Sequence, residues 1–279
     1  MVFKFFSKNG QILSTIDALI PLQNIEYSYG FGVYESLRVR NGIIYFVKQH
    51  LERLFNSAEI LGIEYKFSAN DIANFINKLL EKEKIESCNI KILLIGGKTI
   101  EESLLFIIPL SPLFPDRKLY VNGANTVTFE YERFLPHAKS LNMLGSYLAY
   151  KKAKQTYCYD ALLIDRNKNI VEGTRTNFFT VKNKTIFTQP REKILLGVTR
   201  EIVLYIAKKL KFEVKEINIQ TNELAQFDSA FLSSTSSKII PIKRIDEFVF
   251  SEISQPLRTL MHEFNTFLNA SNGIFNEVR

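Results

Sequence analysis

Residues 137–145 read His137-Ala-Lys-Ser-Leu-Asn-Met-Leu-Gly145. Lys139 sits between Leu135 and Leu141, just ahead of a run whose spacing predicts a helix from Leu144 to Lys154. A lysine at such a place is usually a solvated charge, and spacing alone favours that reading. The other reading is a partly desolvated amine. Burial disfavours the ammonium, lowers its pKa and leaves a nucleophile for a carbonyl group. The choice rests on what the rest of the chain offers around Lys139.

Downstream, Ile170-Val-Glu172-Gly-Thr-Arg-Thr-Asn177-Phe-Phe carries a glutamate before a glycine, ordinarily a turn residue. Beside a pyridine nitrogen, such a carboxylate keeps the nitrogen protonated and strengthens the ring as an electron sink. Leu195-Leu-Gly197-Val-Thr199-Arg200 opens an amphipathic helix predicted from Thr199 to about Leu210. The N–H groups at a helix start suit a phosphate; a plain N-cap at Thr199 is the ordinary alternative. In Leu232-Ser233-Ser-Thr235-Ser236-Ser237-Lys238 five hydroxyl residues follow one another. They read either as a polar loop or as donors to phosphate oxygens. Upstream, Arg53 in His50-Leu-Glu-Arg53-Leu is unremarkable on a helix surface, yet its planar fork suits a phosphate.

Between these segments strands and helices alternate loosely. Tyr34 to Val39 and Ile43 to Val47 read as a hairpin around Asn41-Gly42. Leu51, Leu54, Phe55, Ala58 and Leu61 recur at helical spacing from Lys48 to Leu61. A second helix starts near Ser68, with Asp71 completing a capping-box-like pair. Ile90 to Ile95 and Leu104 to Leu110 read as strands. Pro109-Leu-Ser-Pro112-Leu-Phe-Pro115 stops regular structure, so 111–118 is the expected linker between a small domain over 1–110 and a larger one over 119–279. Beyond it, strands are expected at Lys118 to Val121, Thr126 to Tyr131, Ala161 to Ile164, Asn177 to Val181, Thr185 to Thr188, Phe212 to Ile219 and Ala230 to Ser233. A last helix covers about Gln255 to Leu268. Hairpins among these elements favour α+β over a doubly wound parallel sheet.

Composition narrows the function. The net charge is +7, but lysine and glutamate are mixed along the chain and no dense basic stretch exists, so nucleic-acid binding is not expected. The N-terminus has no signal-peptide pattern, and no window reaches the roughly 20 apolar residues that span a membrane. Cys88 and Cys158 are far apart and read as reduced thiols of a cytoplasmic protein. His50, His137 and His262 have no metal-ligand spacing, so no metal is expected.

The order of these segments gives them meaning together. Tyr29-Gly-Phe-Gly-Val-Tyr-Glu35, His50 to Ala58, Lys139-Ser-Leu-Asn, Glu172-Gly to Asn177-Phe, Leu195 to Arg200 and Ser233 to Pro241 stand in family order. From about Tyr29 to Ile242 the chain resembles the fold-type IV, class IV aminotransferases. That group includes branched-chain and D-amino-acid aminotransferases and aminodeoxychorismate lyases. The resemblance implies a two-domain α+β fold, with a small N-terminal α/β domain and a larger domain built on a mixed sheet or barrel. It implies pyridoxal 5'-phosphate as cofactor and a homodimer with the site between the domains. Lys139 takes the place of the lysine that forms a Schiff base with the cofactor and moves the substrate's α-proton. Glu172 takes that of the ring-nitrogen partner, and Leu195 that of the apolar residue packed on the ring. Arg53, Val198, Thr199, Thr235 and Ser236 fall where the phosphate is held, and Tyr34 where an aromatic lines the substrate pocket.

The sequence also departs from the family. Phe31 replaces an aspartate, and Lys238 stands where many members have glutamate. The strand from Asn89 to Gly97 has no arginine for the substrate carboxylate. Lys91 falls near one such position, as a point charge rather than a fork. The resulting expectation is an aminotransferase moving an amino group between a small amino acid, branched-chain ones included, and a 2-oxo acid. A lyase releasing pyruvate on the same scaffold is the alternative, since the Lys139 block looks as much like the lyases. A catalytically silent binding protein of this fold is the third reading.

Overall fold

The computed structural model describes residues 3–20, 25–111 and 115–275. The chain divides into two compact units. The first takes 1–113 with the short stretches Ala138–Asn142 and Asn272–Phe275, and the second takes most of the remainder. Helices and strands are mixed in both, as an α+β chain requires.

The first unit holds β1 (Phe5–Lys8), β2 (Gln11–Ser14), α1 (Ile25–Ser28), β3 (Gly32–Arg40), β4 (Ile43–Ile44), α2 (Val47–Leu61), α3 (Ala69–Glu83), β5 (Cys88–Ile95) and β6 (Leu104–Leu110). The strands form one sheet in the order β2-β1-β6-β5-β3-β4, and every pairing is antiparallel. Alternation decides its faces. Val33, Leu37 and Val39 of β3 and Ile90, Ile92 and Leu94 of β5 join a buried core with Leu51, Leu54 and Ala58 of α2 and Ile72, Ile76 and Leu79 of α3. Tyr34, Ser36 and Arg38 therefore face the other way.

The expected hairpin is present. Asn41 and Gly42 both have positive φ, 51° and 73°, as a two-residue turn between twisted strands needs. Its return strand is short, because Phe46 turns left-handed (φ 57°) and α2 begins at Val47. Ser68 and Asp71 form the capping box of α3. Pro109 lies within β6 opposite Ile90; Pro112, Leu113 and Phe114 of the proposed linker lie outside the described residues.

The second unit holds α4 (Arg117–Asn122), β7 (Ala124–Glu130), α5 (Leu144–Gln155), β8 (Asp160–Ile164), β9 (Ile170–Gly173), β10 (Asn177–Lys182), β11 (Thr185–Thr188), α6 (Val198–Lys209), β12 (Glu213–Glu216), β13 (Ser229–Ser234), β14 (Lys238–Ile245), β15 (Phe248–Val249) and α7 (Gln255–Ala270). Its sheet runs β12-β11-β10-β13-β14-β7-β8-β9, and β9 returns to pair with β10. The ring β10-β13-β14-β7-β8-β9 is thereby closed and barrel-like. It is a mixed sheet, since β7 runs parallel to both β8 and β14. The closing pair is Glu172 opposite Asn177. Closure leaves no edge on those strands, and fully buried runs such as Asp160–Ile164 follow from it.

Two expectations are corrected here. Residues 118–121 are helical rather than extended: Asp116 caps α4 by accepting from the Lys118 N–H at 2.8 Å, and Gly123 (φ 79°) ends it. The strand expected over Phe212 to Ile219 shrinks to Glu213–Glu216, paired in parallel with β11. β14 went unpredicted because Pro241 interrupts its apolar pattern, yet Pro241 pairs with Phe231 inside the sheet.

Candidate active site

In the first unit, Lys139 lies in a short strand bridge against β3. Its carbonyl accepts the Tyr34 N–H at 2.9 Å, Leu141 donates its N–H to the Gly32 carbonyl at 2.8 Å, and Val33 bridges Ser140. Its own N–H reaches the Ser57 hydroxyl of α2 at 3.1 Å, and that hydroxyl donates to the Arg53 carbonyl at 2.7 Å. The backbone of Lys139 is thus tied to both β3 and α2. The side chain is half-buried, and its ammonium stands 4.4 Å from the centroid of the Tyr34 ring. Lys91, opposite Ser36 in the register, places its ammonium 5.6 Å from the same ring. Tyr34, Lys91 and Lys139 therefore come together, with both lysine side-chain nitrogens close to one aromatic ring. Arg38 shares this face of the sheet. It follows Tyr34 and Ser36 at i+2 spacing on this face of β3, so strand alternation was the available signal.

Arg53 points from α2 to the core face of β3. There Glu35, fully buried, accepts from Arg53 Nε at 2.6 Å and Nη2 at 2.8 Å, and from His50 Nδ1 at 2.7 Å. Burial by itself would push the Glu35 carboxyl up; the Arg53 guanidinium and His50 outweigh it and hold it well below the usual carboxylate range. Burial pulls His50 down from its ordinary value, against the opposing pull of Glu35, so the ring is neutral near pH 7.

In the second unit, Glu172 ends β9 at the seam of the ring, 2% exposed, with its Oε1 2.9 Å from Arg133 Nε. Asp160 of β8 holds the following turn. It accepts from the Thr174 and Thr176 hydroxyls at 2.5 and 3.0 Å, and burial pushes its pKa up against those hydrogen bonds. Asn177 joins three of the quoted segments. It pairs with Glu172 on one side and Ser233 on the other, and its Nδ2 donates to the Leu195 carbonyl at 2.8 Å.

Leu195, Val198 and Thr199 are all buried near the start of α6. The cap of that helix is Gly197, not Thr199, and no side chain caps it. Arg200 anchors the helix start as a fully buried guanidinium, 2.7 Å from both Glu201 and Glu216. Thr235, half-buried, and Ser236, exposed, occupy the turn between β13 and β14, where the Ser234 hydroxyl bonds that of Ser237 at 2.5 Å. Lys238 ends this turn with φ 60° and donates to Asn265 of α7 at 2.6 Å, which gives the lysine a structural role.

Residues 32–245 match the class IV amino-transferase family. The chain is 27% identical over 273 residues to a D-alanine aminotransferase of Listeria monocytogenes, covering 92% of this chain and 93% of that one. It is 28% identical over 248 residues to the D-alanine aminotransferase of Bacillus licheniformis, covering 85% and 87%. The fold superposes on the branched-chain amino acid aminotransferase of Escherichia coli with a TM-score of 0.87, at 22% identity, over 95% and 94% of the two chains. The chain belongs to the class IV aminotransferases. It is a pyridoxal-phosphate-dependent enzyme that moves amino groups between amino acids and 2-oxo acids.

The residues present fit that cofactor. A phosphate needs converging N–H and hydroxyl donors. The start of α6 supplies backbone N–H groups with no competing side-chain cap, and the Ser233 hydroxyl is buried without a hydrogen-bond partner among the described residues. A side chain at Gly197 would fall on the Asn177 carboxamide, so this helix start keeps its backbone bare. Within the second unit Glu172 adds a buried carboxylate, and within the first Lys139 offers a half-buried amine; each is a group of the kind such a cofactor uses.

Proposed function

We propose that this aminotransferase acts on a small α-amino acid, alanine-sized or branched-chain, with Lys139 as the catalytic base. The observation that carries this is the placement of Lys139, whose backbone is fixed by β3 and Ser57 while its amine rests on the Tyr34 ring. Pyridoxal phosphate, when bound, supplies the electron sink that makes the substrate's α-hydrogen acidic. Lys139 would hold the cofactor through its Nζ, and the same Nζ, as a free amine, would take the substrate's α-proton and return it. Glu172 would hold the ring nitrogen protonated, and Leu195 would pack on the ring. Arg53, the Val198 N–H, Thr199, Thr235 and Ser236 would hold the phosphate. Tyr34 would line the substrate pocket. Lys91 would meet the substrate carboxylate, and Arg38 adds a fork on the same face of the sheet.

We further propose a homodimer in the cytoplasm. The family resemblance supports the dimer, with Phe134, Leu144, Tyr147 and Leu148 as exposed apolar side chains that a second copy would cover. Two buried free cysteines fit a reducing compartment.

The test is a panel of L- and D-amino acids, each with 2-oxoglutarate as acceptor, followed by the 2-oxo acid formed. Alanine or a branched-chain amino acid should turn over, and only with acceptor present. Turnover of none of them, with pyruvate released from aminodeoxychorismate in the absence of any acceptor, would replace this reading by the lyase one.

A further inference from the structure

We infer that Glu35 is a positioning residue for the cofactor phosphate: its buried carboxylate clamps the Arg53 guanidinium in one orientation, and His50 steadies that carboxylate from its other side. The inference rests on Arg53 as a phosphate ligand and adds the residues that aim it.

Glu35 is out of place by packing alone. It shares its face of β3 with Val33, Leu37 and Val39, and like them it is fully buried under α2. An apolar side chain there would avoid the desolvation of a carboxylate. Buried ion pairs replaced by well-packed apolar residues often leave a protein as stable or more so. Attraction to a phosphate does not account for it either, since a carboxylate on Arg53 opposes the binding of another anion.

What the carboxylate gives is direction. Its two oxygens take Arg53 Nε at 2.6 Å and Nη2 at 2.8 Å, the side edge of the planar guanidinium. A two-point contact fixes the plane and turns the end of the fork one way. His50 donates its Nδ1 proton to Oε2 at 2.7 Å, so a third contact pins the carboxylate. With Nδ1–H committed to Glu35, the neutral ring presents Nε2 as an acceptor, and Nε2 is buried without a hydrogen-bond partner among the described residues. The clamp is therefore Glu35⁻, Arg53⁺ and an uncharged histidine, and it adds no second cation to repel Lys139. The same turn of α2 carries Ser57, which joins the Arg53 carbonyl to the Lys139 N–H. A shift of Arg53 would thus be felt at the lysine backbone.

Apoenzyme titrated with pyridoxal phosphate and separately with pyridoxal, which lacks the phosphate, gives the phosphate preference as the ratio of the two affinities. Glu35→Gln should lower that ratio about tenfold or more, the scale of a charge-assisted hydrogen bond, and leave pyridoxal affinity within about twofold. In an Arg53→Ala background, Glu35→Gln should change nothing further. If Arg53→Ala leaves the ratio intact, the assignment of Arg53 to the phosphate falls, whatever Glu35 does. If Arg53→Ala lowers the ratio and Glu35→Gln leaves it unchanged, raises it, or weakens both ligands equally, the positioning role is overturned. Should Glu35→Gln fail to fold, Glu35→Asp keeps the charge and withdraws the clamp by one methylene; a lowered ratio supports the role and an unchanged one overturns it.

Discussion

Tyr34 holds Lys139 twice: its backbone N–H donates to the Lys139 carbonyl at 2.9 Å, and its ring lies 4.4 Å from the Lys139 ammonium. The first contact places the lysine and the second gives its charge an aromatic face to rest on. Lys139 is therefore a pre-positioned amine rather than a loop lysine free to swing.

Borohydride reduction of the enzyme with its cofactor should fix a phosphopyridoxyl mass on the peptide containing Lys139. Lys139→Ala should carry no such mass, and its turnover should fall by about 10²-fold to 10⁴-fold or more, the range of general-base catalysis. Its thermal unfolding should stay close to that of the parent, because the contacts that fix this segment are made by backbone atoms. A mass found on another lysine, with Lys139→Ala still active, would remove Lys139 from the chemistry.

The bridge beneath Lys139 depends on Gly32. A Cβ there would stand 2.6 Å from Leu141 Cδ1 and 3.0 Å from the Leu94 carbonyl oxygen. Leu141 can turn, but the Leu94 carbonyl belongs to the β3–β5 pairing and cannot. Gly32→Ala should push the 139–141 strand outward, costing about 1–3 kcal/mol in urea unfolding and lowering kcat more than it raises KM. Unchanged kcat in a destabilised variant would show that Lys139 does not depend on this bridge.

At the seam of the second unit, Glu172 and Arg133 form a pair with 3% and 13% of their side chains exposed. Arg133→Ala leaves a buried carboxylate without this cation and should cost about 3 kcal/mol, the lower end for a broken buried pair. Glu172→Gln is milder for the fold. It should keep the cofactor on Lys139 and lower turnover about 10²-fold, by analogy with the loss of one preorganised electrostatic contact. Glu172→Gln with full turnover would separate this carboxylate from the ring nitrogen.

How much of this was legible in the sequence follows from how local each signal is. The α3 capping box, the Asn41-Gly42 turn and the α2 stripe are set within a few residues, and spacing exposed them. Closure of the ring depends on Asn177 meeting Glu172 and Ser233 at once, a non-local pairing that no window contains. Lys139 was found through the order of segments, yet its docking onto β3 joins positions about a hundred residues apart. Glu35 lies in a family block whose pattern gives it no role. Only the approach of α2 shows what lies against it. Alternation along β3 puts Arg38 on the Tyr34 face, a signal that lies within five residues of sequence.

The clamp also makes a prediction about acid. Glu35 titrates below its ordinary value of 4.5 in the folded protein, so its contribution to stability is present above that value and is lost as the pH falls through the lower, folded one. His50 is held below its ordinary 6.5; the unfolded chain binds that proton first, so folding is favoured above 6.5 and penalised as the pH drops beneath it. The two effects occupy different windows. Measured by urea unfolding, the stability lead of the parent over His50→Gln should shrink as the pH falls from about 6.5 toward 5, where imidazole protonates in the unfolded chain. The lead over Glu35→Gln, about 3 kcal/mol for a broken buried pair, should not shrink until the pH is below 4.5. Subtracting a variant from the parent cancels the titration of distant groups. A lead over His50→Gln that grows on acidification would mean that His50 is charged in the folded protein, and the clamp would then be a cation–anion–cation cluster of a different kind.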